Sequence, residues 1–155
     1  MTLIVDTREK ARAIVRIMKT FEAEGVEVVR RALPYGDYLN PERPGIVIDR
    51  KQTLLEVCSN LVQDRARFLR EVDRANRDGC RLIVLVEHSN QVKTLKDVID
   101  WKNPRLKKSP LAVDGERLYR IMRNMAATYG FVWDFCDKVH TGKKIIEILG
   151  GGANA

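Results

Sequence analysis

Cysteine is scarce in this sequence, and the three that occur form no C-x-x-C pair: Cys58, Cys80 and Cys136. Each lies within an apolar run or just after a turn, so we interpret them as reduced core thiols rather than zinc ligands or disulfides. No apolar run approaches the length of a membrane span, and the chain enters a strand-like segment at once, without the basic and apolar regions of a secretion signal. These absences lead us to expect an intracellular protein.

No stretch rich in proline, glycine and serine divides the chain, and no internal repeat is visible. A chain of 155 residues with 45% hydrophobic content can bury one substantial core. We therefore expect a single domain over residues 1–150. The glycine-rich end, residues 151–155, is expected to be a flexible tail.

Strand-like and helix-like patterns alternate along the chain, which predicts an α/β fold with a central sheet flanked by helices. Strands are predicted at residues 3–5, 26–33, 81–86 and 131–136, with two more short strands within 36–51. Helices are predicted at residues 9–24, 53–78, 114–129 and 141–149. The run at 81–86 is continuously apolar, which is typical of a central strand covered on both faces.

Two aspartates and a lysine carry the most specific chemical signal. A β-branched run precedes Asp49, and a strand that continues through Lys51 sends alternate side chains to opposite faces. Asp49 and Lys51 therefore project to one side, and Arg50 projects to the other. The stretch 39–45 contains two prolines and a glycine, which predicts a connection between strands that could fold Asp37 back beside Asp49.

Such a group of side chains suits metal-dependent cleavage of a phosphodiester. Carboxylates at close range are hard ligands for Mg²⁺ or Mn²⁺, which leave coordination positions for water and a phosphate oxygen. A neighbouring lysine can orient the attacking water and stabilise charge on the phosphoryl oxygens. The alternative is a solvated strand end, because alternating charged residues are common on protein surfaces.

Three short motifs follow one another along the chain: Val5-Asp6-Thr7-Arg8-Glu9, Gly36-Asp37-Tyr38 and Asp49-Arg50-Lys51. They resemble the successive signatures VDxRE, GD and ERKxxxD of the XPF family of structure-specific endonucleases. The resemblance extends over residues 2–150, nearly the whole chain. It implies a restriction-endonuclease-like fold of the PD-(D/E)xK type and a Mg²⁺- or Mn²⁺-dependent endonuclease that cuts flapped, branched or junction DNA.

The resemblance also implies roles for particular residues. The implied catalytic residues are Asp6, Asp37, Asp49, Arg50 and Lys51. Of these, Asp37 and Asp49 would hold the metal ion and Asp6 would complete or tune its ligand shell. Arg8 and Glu9 would border the site. Asp6 has an alternative role, because an aspartate between a strand and a helix often caps the helix.

Two positions depart from the family pattern. Asp49 stands where the family usually has glutamate, and Leu55 stands where the last motif has its aspartate. Glu56 is one residue later, but a shift of one residue on a helix rotates a side chain by about 100°. We therefore favour a capping box for Thr53 and Glu56, with Glu56 reaching back to Thr53, over metal ligation by Glu56 as a supporting residue. Leu55 favours the alternative function of a non-catalytic DNA-binding or scaffold subunit with a degenerate nuclease fold.

The net charge of +7 is unevenly distributed, and a basic segment follows the predicted strand at 81–86. We interpret Lys102, Arg105, Lys107 and Lys108 as DNA-binding residues, because lysine and arginine neutralise phosphates without reading sequence. Trp101 either stacks on an exposed base or anchors this loop. The alternative for the cations is a solubilising surface.

Other charged residues are interpreted as solvated. Those of the predicted helix 53–78, Glu71 among them, alternate in sign as on an exposed face with local ion pairs. Glu87, at the end of a predicted strand, could approach the site as an additional acid, but a glutamate at a strand end is usually exposed, and we expect that here. The implied partners are branched DNA and either a second copy of the chain or a separate protein, with no membrane. A compact single-domain form in the cytoplasm or nucleoid would also suit a virus or a mobile element.

Overall fold

A computed structural model of the protein describes residues 1–88 and 91–152. Six strands form one mixed sheet in the order β2-β1-β3-β4-β5-β6. The strands are β1 Thr2–Val5, β2 Glu27–Arg30, β3 Tyr38–Leu39, β4 Ile46–Lys51, β5 Arg81–His88 and β6 Val132–Asp137. Each predicted strand is present, and the prediction of a mixed sheet flanked by helices is confirmed.

Five α-helices cover the sheet: α1 Val15–Ala23, α2 Leu54–Cys58, α3 Arg65–Arg77, α4 Gly115–Tyr129 and α5 Thr141–Gly150. Two predicted helices need correction. The helix predicted at 9–24 becomes a 3₁₀ turn, Ala11–Ala13, followed by α1. The single helix predicted at 53–78 is interrupted by a π-helical turn at Ser59–Gln63 and by Asp64, whose backbone (φ −110°, ψ 29°) is not helical.

All strands except β3 run in the same direction. β4, β5 and β6 pair in parallel, and β1 pairs in parallel with β2. β3 is antiparallel to both β1 and β4. The carboxyl ends of five strands and the amino end of β3 therefore lie at one edge of the sheet, which brings the acidic residues that follow β1, precede β3 and end β4 to the same place.

The two faces of the sheet are covered by separate hydrophobic layers. One layer packs α2, α3 and α4 against Val47 and contains a T-shaped contact between the rings of Phe68 and Phe131. The other packs α1 and α5 against Ile48. Because neighbouring residues of β4 face different layers, the charged residues at its end are also divided between the two faces.

The described residues bear on three further expectations. Burial raises the pKa values of Cys58 and Cys136 to about 11, as expected of thiols in a core. No helix in the described part of the chain is long and apolar enough to cross a membrane. Of the tail predicted at 151–155, Gly151 and Gly152 follow α5, and residues 153–155 lie outside the described residues.

Candidate active site

Asp49 and Lys51 lie side by side at the end of β4, as their alternation predicts. Lys51 Nζ is 3.0 Å from Asp49 Oδ2, and the two residues are only 7% and 4% exposed. Asp49 Oδ2 is a buried atom without a hydrogen bond of good geometry among the described residues. The Lys51 ammonium lies beside this oxygen but leaves its capacity to accept a hydrogen bond unsatisfied. Arg50 points to the other face.

The side chain of Lys51 is held by residues that sequence reasoning did not single out. Its Nζ donates to Asn60 Oδ1 at 3.2 Å and lies 5.9 Å from the centre of the Phe68 ring. Asn60 belongs to the π-helical turn, and its Nδ2 donates to the backbone oxygen of Glu56 at 2.7 Å. Burial lowers the pKa of Lys51, but the neighbouring carboxylate of Asp49 outweighs it, so the pKa is raised and Lys51 is an ammonium ion.

Asp37 folds back beside Asp49, as predicted. Its backbone joins two strands, because the Asp37 oxygen accepts from Asp6 N at 2.8 Å and the Asp37 nitrogen donates to Ile48 O at 2.7 Å. Its Oδ2 accepts from the backbone nitrogen of Arg50 at 2.7 Å. Burial and the charges of Asp49 and Glu9 raise the pKa of Asp37 well above its ordinary value. A cation between the aspartates would relieve this repulsion.

The loop that places Asp37 depends on Gly36 and Glu71. Gly36 has φ +68°, and a Cβ there would lie 2.5 Å from Val47 Cγ2, so only glycine fits. Glu71 Oε1 accepts from Gly36 N at 2.7 Å. Burial, followed by the charge of Asp49, raises the pKa of Glu71. The interpretation of Glu71 as part of a solvated helix face is wrong, because the side chain is directed at the loop before Asp37.

Arg50 organises a second set of side chains on the opposite face. Its Nε donates to Glu9 Oε2 at 2.7 Å and its Nη1 to Glu87 Oε1 at 3.0 Å. The hydroxyl of Tyr38 also donates to Glu9 Oε2, at 2.6 Å. Glu87 is 6% exposed, so the expectation of an exposed strand end is corrected. Sequence alone did not pair these groups, because they come from four separate segments of the chain.

Asp6 is fully buried and is bound mainly by Arg8. Its Oδ1 accepts from Arg8 N and Nε, both at 2.7 Å, and its Oδ2 accepts from Arg8 Nη2 at 3.0 Å and from Leu33 N at 2.6 Å. Four donors occupy the four acceptor directions of a carboxylate. Burial raises the pKa of Asp6, but these hydrogen bonds outweigh it and lower the pKa overall. Metal ligation by Asp6 stays a prediction, and it would require these contacts to be exchanged.

A family model described as the ERCC4 domain matches residues 5–138. The chain belongs to the ERCC4 domain family. The match includes all three motifs of the sequence, and it confirms the XPF-family resemblance drawn from them. No curated protein matches the sequence closely enough to count as a relative.

Solved structures show that this ERCC4 domain has the fold of XPF nucleases. XPF from Aeropyrum pernix has a TM-score of 0.68 and 23% sequence identity, over 96% of this chain and 63% of that chain. XPF from Aeropyrum pernix in complex with DNA has a TM-score of 0.66 and 21% identity, with the same coverage of both chains. The ERCC4 domain described here thus spans less than two thirds of the length of these structures.

The residues of this ERCC4 domain fit a hard divalent cation with few protein ligands. Within residues 1–88 and 91–152, no group of three or more His, Cys, Asp or Glu side chains is arranged to hold a metal ion. Two carboxylates are sufficient for Mg²⁺, which usually keeps several waters and takes one or two protein carboxylates. Asp37 and Asp49 meet this requirement, and Asp49 Oδ2, which lies beside the Lys51 ammonium, has no hydrogen bond of good geometry among the described residues.

The segment after β4 begins with a helix cap. Thr53 Oγ1 accepts from Glu56 N at 3.1 Å, as the capping box predicts. Glu56 Oε2 accepts from Gln52 N at 2.8 Å rather than from Thr53 N, so the return bond reaches one residue further back than expected. A role of Glu56 in supporting the site stays a prediction. Leu55, half-buried, supplies no carboxylate at the position where the family has one.

The predicted DNA-binding loop is exposed, and one of its four cations lines a hollow that does not include Asp37, Asp49 or Lys51. Lys102, Arg105, Lys107 and Lys108 are all exposed. Arg105 lines a 270 Å³ hollow together with Cys58 and the 90%-exposed Leu111. Trp101 is half-buried and packs against the core, which favours its interpretation as the anchor of the loop. DNA binding by the four cations stays a prediction.

Proposed function

We propose that this ERCC4 domain is a metal-dependent endodeoxyribonuclease that cuts branched, flapped or junction DNA by phosphodiester hydrolysis. The observation that carries the proposal is the juxtaposition of the buried Asp49, the half-buried Asp37 and a buried ammonium ion at one sheet edge, where Asp49 Oδ2 has no hydrogen bond of good geometry among the described residues. Membership of the ERCC4 domain family supports it. Burial of three ionisable side chains is costly unless they serve a function or a bound ion compensates them.

In the proposed mechanism, Asp37 and Asp49 hold Mg²⁺ or Mn²⁺, and Asp6 is the further ligand implied by the family pattern. The bound ion supplies Lewis-acid polarisation of a phosphate oxygen and lowers the pKa of a water molecule. The protein contributes fixed geometry. Glu71 and Gly36 hold the loop of Asp37 in place, and the backbone nitrogen of Arg50 fixes one oxygen of that carboxylate.

Lys51 has the proposed role of a fixed positive charge beside the reacting phosphate. Asn60 and Phe68 restrict its ammonium group, so little reorganisation is needed when negative charge develops on the phosphoryl oxygens. Its raised pKa keeps it charged and unsuited to act as a general base at neutral pH. Arg50 is engaged by two carboxylates, which favours a supporting role over contact with the DNA backbone.

Branched DNA as the substrate is the part of the proposal that depends most on the family. The solved XPF structure in complex with DNA supports DNA as the partner. A second copy of the chain or a separate protein is the proposed source of additional contacts with the DNA. DNA repair or recombination would supply such substrates. The proposed location is intracellular, and the protein would be encoded by the host or by a virus.

A second candidate function is a non-catalytic DNA-binding or scaffold subunit. Leu55, in place of the family aspartate, favours it, and so does the lack of a third metal-binding side chain around Asp37 and Asp49 in the described residues. This candidate predicts DNA binding without cleavage.

The deciding experiment compares end-labelled flap, fork, four-way junction and linear duplex DNA as substrates, with Mg²⁺ or Mn²⁺ and with EDTA. We expect metal-dependent cuts near branches by the wild type, no cleavage by Asp49→Asn, and a loss of about 10²- to 10³-fold in Lys51→Ala. Asp73→Asn removes an exposed carboxylate on α3 and should retain full activity.

Circular dichroism and thermal melts must show that each variant is folded. Full activity in folded Asp49→Asn would remove Asp49 from the mechanism. Absence of cleavage by the wild type on every substrate, together with retained DNA binding, would favour the scaffold function instead.

A further inference from the structure

Three hollows meet along the edge of the sheet where β4, β5 and β6 end. The first, of 530 Å³, lies between α1 and the end of β4, and it shares Gln52 and Lys138 with the second, of 630 Å³. The second shares Asp137 and His140 with the third, of 290 Å³, which reaches α5. Because neighbouring hollows share lining residues, they lie side by side along this edge, and we call the three together the basic trough.

Eight lysine and arginine side chains line the basic trough, and two of them, Arg50 and Lys144, are ion-paired with carboxylates. The other six are Arg12, Arg16, Lys19, Lys93, Lys138 and Lys143. All six are exposed, and within residues 1–88 and 91–152 none of their side chains forms an ion pair or a hydrogen bond. They come from segments far apart in the sequence, so the sequence did not show that they share one surface.

The trough has three carboxylates, Glu87, Asp137 and Glu147, against eight lysine and arginine side chains. Glu87 binds Arg50 at 3.0 Å, Asp137 binds His140 Nδ1 at 2.7 Å, and Glu147 lies 3.9 Å from Lys144 Nζ. The pKa of His88, in the second hollow, is lowered by burial and by the charge of Lys138. The trough therefore presents an excess of positive charge to any ligand that enters it.

We infer that the basic trough binds the phosphate backbone of one arm of the DNA substrate. The inference rests on the proposed function. Gln52, which directly follows Lys51 in the sequence, lines both the first and the second hollow, so an arm that lies in the trough passes the end of the strand that carries Asp49 and Lys51. Its exposed cations suit a duplex, which carries one negative charge per about 1.7 Å of helix axis. The predicted loop at Lys102–Lys108 surrounds a hollow that has no lining residue in common with the trough.

The test measures binding of a fluorescein-labelled 20-base-pair duplex by anisotropy, in EDTA so that no cleavage occurs, over a series of KCl concentrations. The trough variant is Arg12→Gln/Arg16→Gln/Lys138→Gln. The matched control, Arg117→Gln/Arg120→Gln/Arg123→Gln, removes the same charge from the exposed side of α4. All six positions are exposed, so both proteins should fold.

We expect the trough variant to bind at least about tenfold more weakly and the slope of log K against log salt to decrease in magnitude by about 2 to 3, since each lost phosphate contact removes about 0.9. The control should change binding less than threefold. Binding by the trough variant within twofold of wild type, an equal loss in the control, or no binding by the wild type would each overturn the inference. Cleavage is measured separately. The proposed function can therefore fail while the trough still binds DNA, and the trough can fail to bind DNA while the protein still cleaves it.

Discussion

Arg50 is the residue on which the largest number of buried charges depends. It contacts the carboxylates of Glu9 and Glu87, and Tyr38 shares the first of them. Burial lowers the pKa of Arg50, but these carboxylates outweigh it and raise the pKa overall. Its backbone nitrogen also binds Asp37 on the opposite side of the strand. One residue thus connects the acidic side chains of both faces of β4.

We expect Arg50→Ala to lower the free energy of unfolding by about 3–5 kcal/mol, because it leaves two carboxylates without their cation in a largely buried site. Urea denaturation followed by circular dichroism measures the change. Arg77→Ala is the matched control, since Arg77 pairs with Asp73 on the exposed surface of α3 and should cost less than about 0.5 kcal/mol. Similar losses in the two variants would contradict this account.

Alternation along one strand was enough to predict part of the candidate site. It placed Asp49 and Lys51 together and Arg50 apart, because the side-chain period of a strand is a local property. Glu71 and Asn60 could not be found in this way. Glu71 contacts Gly36 from 35 residues away, and Asn60 reaches Lys51 only because a π-helical turn sets its direction.

Among the elements, the segment after β4 differs most from its prediction. Its apolar positions keep helical spacing, and Leu54, Val57, Leu61, Phe68 and Val72 are all buried. The interruption, at Ser59–Gln63 and Asp64, leads into residues 62–67, whose side chains are exposed and carry no periodic signal. A π-helical turn accommodates an extra residue within a helix, and such turns are frequent at functional sites.

The loop into β3 gives a test at the same scale. Gly36→Ala should lower the free energy of unfolding by about 2–4 kcal/mol, because the new methyl group meets Val47 and the backbone at φ +68° is strained. Gly25→Ala is the control. Gly25 has the same φ of +68° with nothing within 4 Å of the added carbon, so it should lose only about 1 kcal/mol.

Thermal and urea denaturation of both glycine variants measure the difference. That difference isolates the close approach of the loop to β4 from backbone strain, which the two positions share. Equal losses at Gly36 and Gly25 would show that contact with Val47 does not restrict the loop.

For the whole molecule, the predicted fold class was confirmed, because alternating strand and helix patterns constrain the layers of a small domain. The order of strands in the sheet was not predicted. It depends on β3, which inserts antiparallel between β1 and β4 and has only two residues. Strand pairing over long sequence separations leaves little trace in local periodicity. The sequence likewise does not show that cations from distant segments lie together in the basic trough.

The shortness of β3 has a dynamic consequence. β3 pairs with β1 and with β4 through two residue pairs each, whereas β4 and β5 share six. The sheet is therefore expected to open first along β3, and hydrogen–deuterium exchange should be faster at residues 36–39 than at 82–86. A divalent cation held by Asp37 and Asp49 would link the start of β3 to β4. Millimolar Mg²⁺ should then slow hydrogen–deuterium exchange at residues 36–39 in the wild type but not in Asp49→Asn. The metal ion would thus stabilise the part of the sheet that is most prone to local unfolding.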